Sequence, residues 1–275
     1  LMRKCLESGI NPRSDSAPQN MHQALEAFFS PQNKSWHLAS IRKKQAEEIQ
    51  IIASGSKAKP SLLIYDSGEG QHPDHFESTF LSLLRGNKND IPFVQGKYNM
   101  GGTGALVFCG KSRYQLIGSK RYDNSGDFGF TLIRKHPLTV EESKTKKNTW
   151  YEYLLIDGEI PHFPIEELDI GLYNRKFTTG TIIKLYDYDL YSKIPRGALP
   201  QEGRRAINQY LFQPALPIYL VDSKDRYPNN KVLDIDCYGL KDRLESEDNK
   251  YIETHFIQTL NDHEIGRLKA TCYVF

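Results

Sequence analysis

The chain lacks the sequence features that mark several common classes of protein. Its four cysteines lie far apart and form no Cys-x-x-Cys pair, so neither a disulfide framework nor a zinc site is expected. The eight histidines are scattered and show no His-Glu-x-x-His spacing. No apolar run is long enough to cross a bilayer, and the first residues are too polar for a signal peptide. These absences predict a cytoplasmic protein that binds no membrane.

A strong net charge of either sign is also missing. The 36 basic and 34 acidic side chains give a net charge of +2, which leaves nucleic-acid binding open but does not indicate it. Hydrophobic residues make up 39% of the 275 residues, which suits one large domain or a domain with a smaller appendage. The chain begins with Leu1 and ends in a strand-like run at residues 266–275, which favours a fragment of a longer protein.

The spacing of apolar residues divides the chain into helices and strands. It predicts helices over residues 1–8, 21–29, 35–46, 73–84, 105–109 and 202–212. Strand-like runs lie at residues 49–52, 61–65, 114–119, 128–134, 150–156 and 181–188, with three or four more after residue 216. The turn residues 123–126 (DNSG) favour a hairpin between the third and fourth runs.

This order of elements predicts an α+β fold. Helices are expected to cover one face of a mixed β-sheet, which makes a two-layer sandwich. Residues 1–213 form the main domain in this interpretation. Residues 214–275 form a β-rich appendage, the start of a second domain in the longer protein.

The strongest local signal is the string DSGEGQ at residues 66–71, directly after an apolar strand. Asp66, at the end of that strand, can accept a hydrogen bond from an amino group. Gly68 and Gly70 allow the backbone to bend with positive φ and let a flat ring approach closely. An ordinary turn between a strand and a helix has the same composition, so the string alone does not decide.

A glycine-rich segment, GKYNMGGTGAL, follows at residues 96–106. It leads into an apolar helix, an arrangement that exposes backbone N–H groups to phosphate oxygens. No Lys-Ser or Lys-Thr pair ends it and no strand directly precedes it, so it is neither a Walker loop nor a Rossmann fingerprint. A flexible surface loop is the alternative. A third signal, weak by itself, is Gly180-Thr181 at the start of a strand.

In this order and spacing the three signals resemble the GHKL superfamily, the nucleotide-binding fold of gyrase B, MutL, heat-shock chaperones and histidine kinases. The resemblance covers residues 1–190. It implies that Asp66, with Gly68 and Gly70, binds the amino group of adenine, and that Thr181 completes the adenine site through water. Lys88 resembles the lysine of the Ser-Lys or Thr-Lys pair that precedes the lid in the MutL and chaperone branches. The lid implied to close over the triphosphate contains the expected nucleotide-binding residues Gly96, Asn99, Met100, Gly101, Gly102, Thr103 and Gly104.

The first box of the family departs from its usual form here. The family carries Glu-x-x-x-Asn on a helix, where the glutamate activates water and the asparagine holds Mg²⁺. The favoured alignment places Lys4 at the glutamate and Ser8 at the asparagine, so Ser8 is expected near the nucleotide. A slipped alignment offers Glu7 and Asn11, although Gly9 between them weakens a helix. ATP and Mg²⁺ are the expected ligands, whereas hydrolysis stays open with Glu7 as the catalytic candidate.

Two functions are consistent with this resemblance. The first is an ATP-operated conformational switch, with or without ATPase activity, that is read by other domains of a longer chain or by a second subunit. In MutL-like and chaperone-like relatives an appended domain supplies a lysine to the γ-phosphate, for which Lys224, Lys231 and Lys241 are candidates. The second is a binding module that does not hydrolyse ATP. A histidine kinase is not favoured, because no helical hairpin with a phosphoacceptor histidine precedes the domain.

Overall fold

The computed structural model describes residues 1–29, 39–82, 88–96, 100–189, 198–225, 232–245 and 252–275. Its α-helices are α1 (Met2–Glu7), α2 (Met21–Phe29), α3 (Ala39–Ala46), α4 (Met100–Ala105), α5 (Glu142–Thr145), α6 (Leu199–Tyr210) and α7 (Leu240–Glu245). Its strands are β1 (Ile49–Ser56), β2 (Ser61–Asp66), β3 (Gln115–Lys120), β4 (Phe128–Lys135), β5 (Tyr151–Tyr153), β6 (His162–Phe163), β7 (Gly180–Leu185), β8 (Ile218–Asp225), β9 (Leu233–Cys237), β10 (Thr254–Asp262) and β11 (Gly266–Val274).

Nine of the described strands form one mixed sheet. From edge to edge their order is β5-β4-β3-β7-β2-β1-β8-β9, and β6 also pairs with β4. Strands β1 and β8 run parallel, whereas the other described pairs are antiparallel. Strands β10 and β11 form a separate hairpin. The fold is therefore mixed α/β, with a large mixed sheet and short helices.

Side chains of the central strands alternate between two apolar clusters, because successive residues of a strand point to opposite faces. In β2, Leu62 and Ile64 pack with Leu199 of α6 on one face. On the other face, Leu63 and Tyr65 pack against the segment at residues 165–177. Ala46, the last residue of α3, joins this second cluster. The helices are therefore not confined to the one face that the sequence predicted.

The main sheet continues across residue 214, where the sequence predicted the start of an appendage. Strand β8 pairs with β1, and β9 pairs with β8, so both belong to the sheet that carries β2 and β7. Helix α6 is tied to β8, because the Leu199 N–H donates to the buried carboxylate of Asp222 at 2.8 Å. Such a carboxylate satisfies an N–H group that has no partner within its helix. Among the described strands, only β10 and β11 lie outside the main sheet.

The helix predicted at residues 73–84 is wrong in its described part. A short 3-10 turn, Pro73–His75, is followed by further turns up to residue 81, and residues 83–84 lie outside the described ranges. The hydroxyls of Ser78 and Thr79 donate to the carbonyl of His75, at 3.1 and 2.6 Å. Hydroxyl groups that bond to a nearby backbone carbonyl compete with helical hydrogen bonds, which explains why the apolar spacing is misleading here.

Other boundaries shift by a few residues. Helix α4 starts at Met100 rather than residue 105, so part of the glycine-rich segment is helical. Helix α6 starts at Leu199, three residues before the prediction, and the predicted start of α3 at residue 35 lies outside the described residues. The predicted hairpin between β3 and β4 is confirmed. No helix of the described residues is both long enough and apolar enough to span a membrane.

Candidate functional site

A cavity of about 500 Å³ opens beside the end of β2. This volume lies in the range of small-molecule sites. Five of the residues selected from the sequence line it, namely Asp66, Gly68, Gly70, Lys88 and Thr181. A smaller cavity of about 320 Å³ shares Asp66 and Gly68 with it and extends toward α1 and α3. The rest of the wall of the larger cavity is mainly apolar and includes Phe80, Phe93, Val94, Ile183 and Leu216.

Asp66 is the carboxylate that both cavities share. Its Oδ1 accepts a hydrogen bond from the N–H of Gly68 at 2.9 Å. Burial raises the pKa of Asp66, while this N–H and the nearby ammonium of Lys88 act in the opposite direction. Gly68 does not have the positive φ that the sequence predicted. A Cβ at Gly68 would instead overlap the Asp66 carboxylate, so the absence of a side chain is what matters there.

Thr181 lies beside Asp66 because of strand register. The two residues are direct partners across β2 and β7, and Thr181 is in turn the partner of Ser119 across β7 and β3. The hydroxyls of Ser119 and Thr181 are 3.1 Å apart. The Ser119 hydroxyl also donates to the carbonyl of Gly180 at 2.9 Å and accepts the N–H of Gln71 at 2.8 Å. The strand pairing of Asp66 with Thr181 holds one end of the bend at residues 66–71, and the hydrogen bond from Gln71 to Ser119 holds the other. Both ends lie at the larger cavity.

Two glycines allow the backbones around the cavity to approach one another. Gly70 has φ +64°, and a Cβ there would overlap the backbone carbonyl of Lys120. Gly180 has φ +107°, and a Cβ there would overlap the carbonyl of Asp66. In both cases the obstacle is backbone, which cannot move aside as a side chain can. The sequence prediction of a bend with positive φ is therefore confirmed at Gly70.

Lys88 reaches the cavity as part of an ion pair. Its ammonium contacts the carboxylate of Glu69, and the side-chain amide of Gln71 donates to the same carboxylate oxygen at 3.3 Å. All three side chains line the larger cavity. The Glu69 side chain is 11% exposed and that of Lys88 is 34% exposed. One wall of the cavity is therefore polar and carries both signs of charge.

The glycine-rich segment does not line either cavity in its described part. Gln95 is the last described lining residue before it, and Asn99 lies outside the described residues. Gly96, Gly101, Gly102, Thr103 and Gly104 are described and are absent from both linings, whereas the side chain of Met100 lies outside the described part of the structure. The side-chain amide of Gln115 in β3 donates to the carbonyl of Gly102 at 3.4 Å, which ties the segment to the sheet.

Helix α1 contributes Arg3 and Lys4 to the smaller cavity, whereas Glu7 and Ser8 line neither cavity. The guanidinium of Arg3 donates to the carbonyl of Ser67 at 3.0 Å, which attaches α1 to the bend after β2. The two carboxylate oxygens of Glu7 accept from Lys4 at 2.8 Å and from Arg3 at 2.7 Å. These two bonds lower the pKa of Glu7, with Lys4 the larger cause.

Neither alignment of the first box brings its residues to the larger cavity. The helix ends at Glu7, so Glu7 and Asn11 do not lie on one helix face. The Ser8 hydroxyl donates to the carbonyl of Lys4 at 2.9 Å. Among the described residues, no group of three or more His, Cys, Asp or Glu side chains could hold a metal ion.

The lysines considered for a γ-phosphate contact lie elsewhere. Lys224 is buried and paired with Asp222 at 3.5 Å, and Lys241 pairs with Glu245. Neither lines a cavity, and Lys231 lies outside the described residues.

Several site residues were missed by the sequence reasoning. Ser119 lies in a strand that also carries Gln115 and Lys120, so its hydroxyl gives no distinct local signal. Glu69 lies inside the DSGEGQ string but was not selected. Residues 214–216, assigned to the appendage, line the larger cavity together with Ile218. The larger cavity therefore offers the carboxylate of Asp66 beside the hydroxyl of Thr181, and the ammonium of Lys88 lies on the same lining.

No protein-family model matches this chain, and a search of curated proteins finds no match. The interpretation of the site therefore depends on its own geometry.

Proposed function

We propose that the chain is an ATP-binding module of the GHKL type, with helices layered on a mixed sheet, that acts as a nucleotide-driven conformational switch. The observation that carries this proposal is the pairing of Asp66 and Thr181 at one end of a cavity of about 500 Å³. A carboxylate and a hydroxyl, fixed side by side in a sheet, present an acceptor for an amino group and a group that can hold water.

The lining of the cavity suits a ligand with an apolar ring. This lining and the bend at Gly68 and Gly70 leave space next to the Asp66 carboxylate. The one oxygen of Asp66 that bonds to Gly68 is Oδ1, so Oδ2 can accept from an adenine amino group. The carbonyl of guanine would face the same carboxylate, and guanine nucleotides are expected to bind poorly.

The phosphates of the ligand would lie toward Lys88. This side chain is one of the positive charges on the lining of the larger cavity, and Gln95, directly before the glycine-rich segment, lies on the same lining. The segment at residues 96–106 would order over the phosphates when ATP binds, which is the conformational change that other domains or subunits would detect.

Isothermal titration calorimetry with ATP tests the adenine contact. Asp66→Asn replaces an ionised acceptor by a group that also donates, and a hydrogen bond to a charged group contributes about 1.5–3 kcal/mol. We expect the affinity for ATP to fall at least about tenfold. Asp157→Asn, in an exposed turn outside both cavities, is the matched control and should bind like wild type. Equal affinities for wild type and Asp66→Asn would contradict the proposal.

A binding module without hydrolysis is the second candidate function. It is favoured by α1, where Glu7 is held by Arg3 and Lys4 and lines neither cavity. A carboxylate in that position cannot take a proton from a water molecule in the larger cavity.

A further inference from the structure

The ion pair between Glu69 and Lys88 occupies the polar wall of the larger cavity. Glu69 is held from two sides: its carbonyl accepts the N–H of Tyr122 at 2.9 Å, and its carboxylate accepts from Gln71 at 3.3 Å. The carboxylate is therefore fixed on the sheet side of the cavity. Lys88 has the longer and more exposed side chain, so it is the partner that can move.

Lys88 lies near two carboxylates, since both Lys88 and Glu69 act on the pKa of Asp66. Arg3 is a further cation on the lining of the same cavity. Glu69 is mostly buried, and a buried carboxylate is stabilised by an opposite charge. A phosphate that enters the cavity must therefore compete with Glu69 for the ammonium of Lys88. An unphosphorylated ligand meets no such competition.

We propose that Glu69 is a specificity-determining residue that holds Lys88 until a ligand phosphate takes it over. The ion pair then sets how strongly the cavity prefers ATP over adenosine. This inference rests on the proposed adenine site, because it assumes that Asp66 anchors the base of both ligands. It concerns Glu69, which takes no part in that contact.

The test compares the affinities of ATP and adenosine, measured by calorimetry, in variants of the pair. In Glu69→Gln the amide still packs against Gln71 but no longer holds the ammonium, so the ratio of ATP affinity to adenosine affinity should rise about tenfold. In Lys88→Gln the ratio should fall. In the double variant Glu69→Gln, Lys88→Gln the rise should disappear, because no ammonium is left to release. Glu167→Gln, in the exposed ion pair with Lys176, is the control and should keep the wild-type ratio.

Two results would overturn the inference while the adenine site stands. One is an unchanged ratio in Glu69→Gln with adenosine still bound. The other is an equal rise in the presence and absence of Lys88, which would mean that Glu69 repels phosphate directly. If Glu69→Gln does not fold, Glu69→Asp, with a shorter reach toward Lys88, takes its place and must also raise the ratio. If wild type binds no adenosine, or if Asp66→Asn binds it equally well, the proposed function fails and this inference fails with it.

Discussion

The two glycine-containing strings of this chain have different surroundings, although both were selected from the sequence as parts of one nucleotide site. The bend at residues 66–71 is fixed by the sheet, with backbones close enough that a Cβ at Gly70 would overlap Lys120. In α4, Gly101 and Gly104 have open space around them. Glycine in the bend is therefore required by the folded structure, whereas glycine in α4 makes a short helix that is weak by itself. The first string forms a rigid wall, and the second is suited to change conformation.

The largest effect that would test this contrast is expected from Gly70→Ala. The methyl group meets the carbonyl of Lys120, and φ of +64° adds backbone strain, so the free energy of unfolding should fall by about 2–5 kcal/mol. Gly101→Ala is the matched control: it lies in a helix with open space and should raise the free energy of unfolding by about 0.5–1 kcal/mol. Urea unfolding of both variants measures this, and equal effects would refute the contrast.

Sequence reasoning identified Asp66 and Thr181 because each lies in a short local pattern. It did not identify Ser119, which bonds to Thr181 across 62 residues, since no local pattern reports such a distant contact. Local patterns also gave no sign that the sheet continues past residue 214, because the parallel pairing of β1 with β8 joins distant parts of the chain. The helix predicted after Pro73 failed at a local level, where hydroxyl groups bond to the backbone.

A second test concerns the glycine-rich segment, where ATP should change the rate of hydrogen exchange. If phosphates order residues 96–106, saturation at about 100 times Kd stabilises the bound conformation by about 2.7 kcal/mol, which slows exchange up to about a hundredfold. Adenosine has no phosphates and should leave this segment unprotected while it protects residues 66–71. Hydrogen exchange read by mass spectrometry separates the two, and the same exchange rate with and without ATP would count against a phosphate lid.

A smaller effect is expected from Asp66→Asn on the free energy of unfolding. Burial raises the pKa of Asp66 above its ordinary value of 3.8, so the fold favours the neutral carboxyl group. The stability that the neutral carboxyl group contributes to the fold is complete below the ordinary pKa, and it is lost as the pH rises through the pKa of the folded state. Asp66→Asn cannot ionise, and its side-chain oxygen can still accept from Gly68. The variant should therefore exceed wild type in free energy of unfolding at neutral pH, and the gap should narrow toward pH 3.8. A gap that widens on acidification would reverse the assigned sign.

The smallest effect is expected from Glu7→Ala. The carboxylate of Glu7 is occupied by Arg3 and Lys4 and lies outside both cavities, so its removal should change ATP turnover little. The two partly exposed ion pairs contribute only about 0–1 kcal/mol to stability.

Lys4 has an ammonium with no lone pair for a proton from water, and the loss of a general base typically costs about 10²–10⁴-fold in rate. Wild type should therefore bind ATP with little hydrolysis, and Lys4→Glu should raise the rate if Ser8 can serve the metal. A phosphate-release assay on the three proteins decides between the two alignments, because fast wild-type turnover that Glu7→Ala abolishes would show that Glu7 is the base after all.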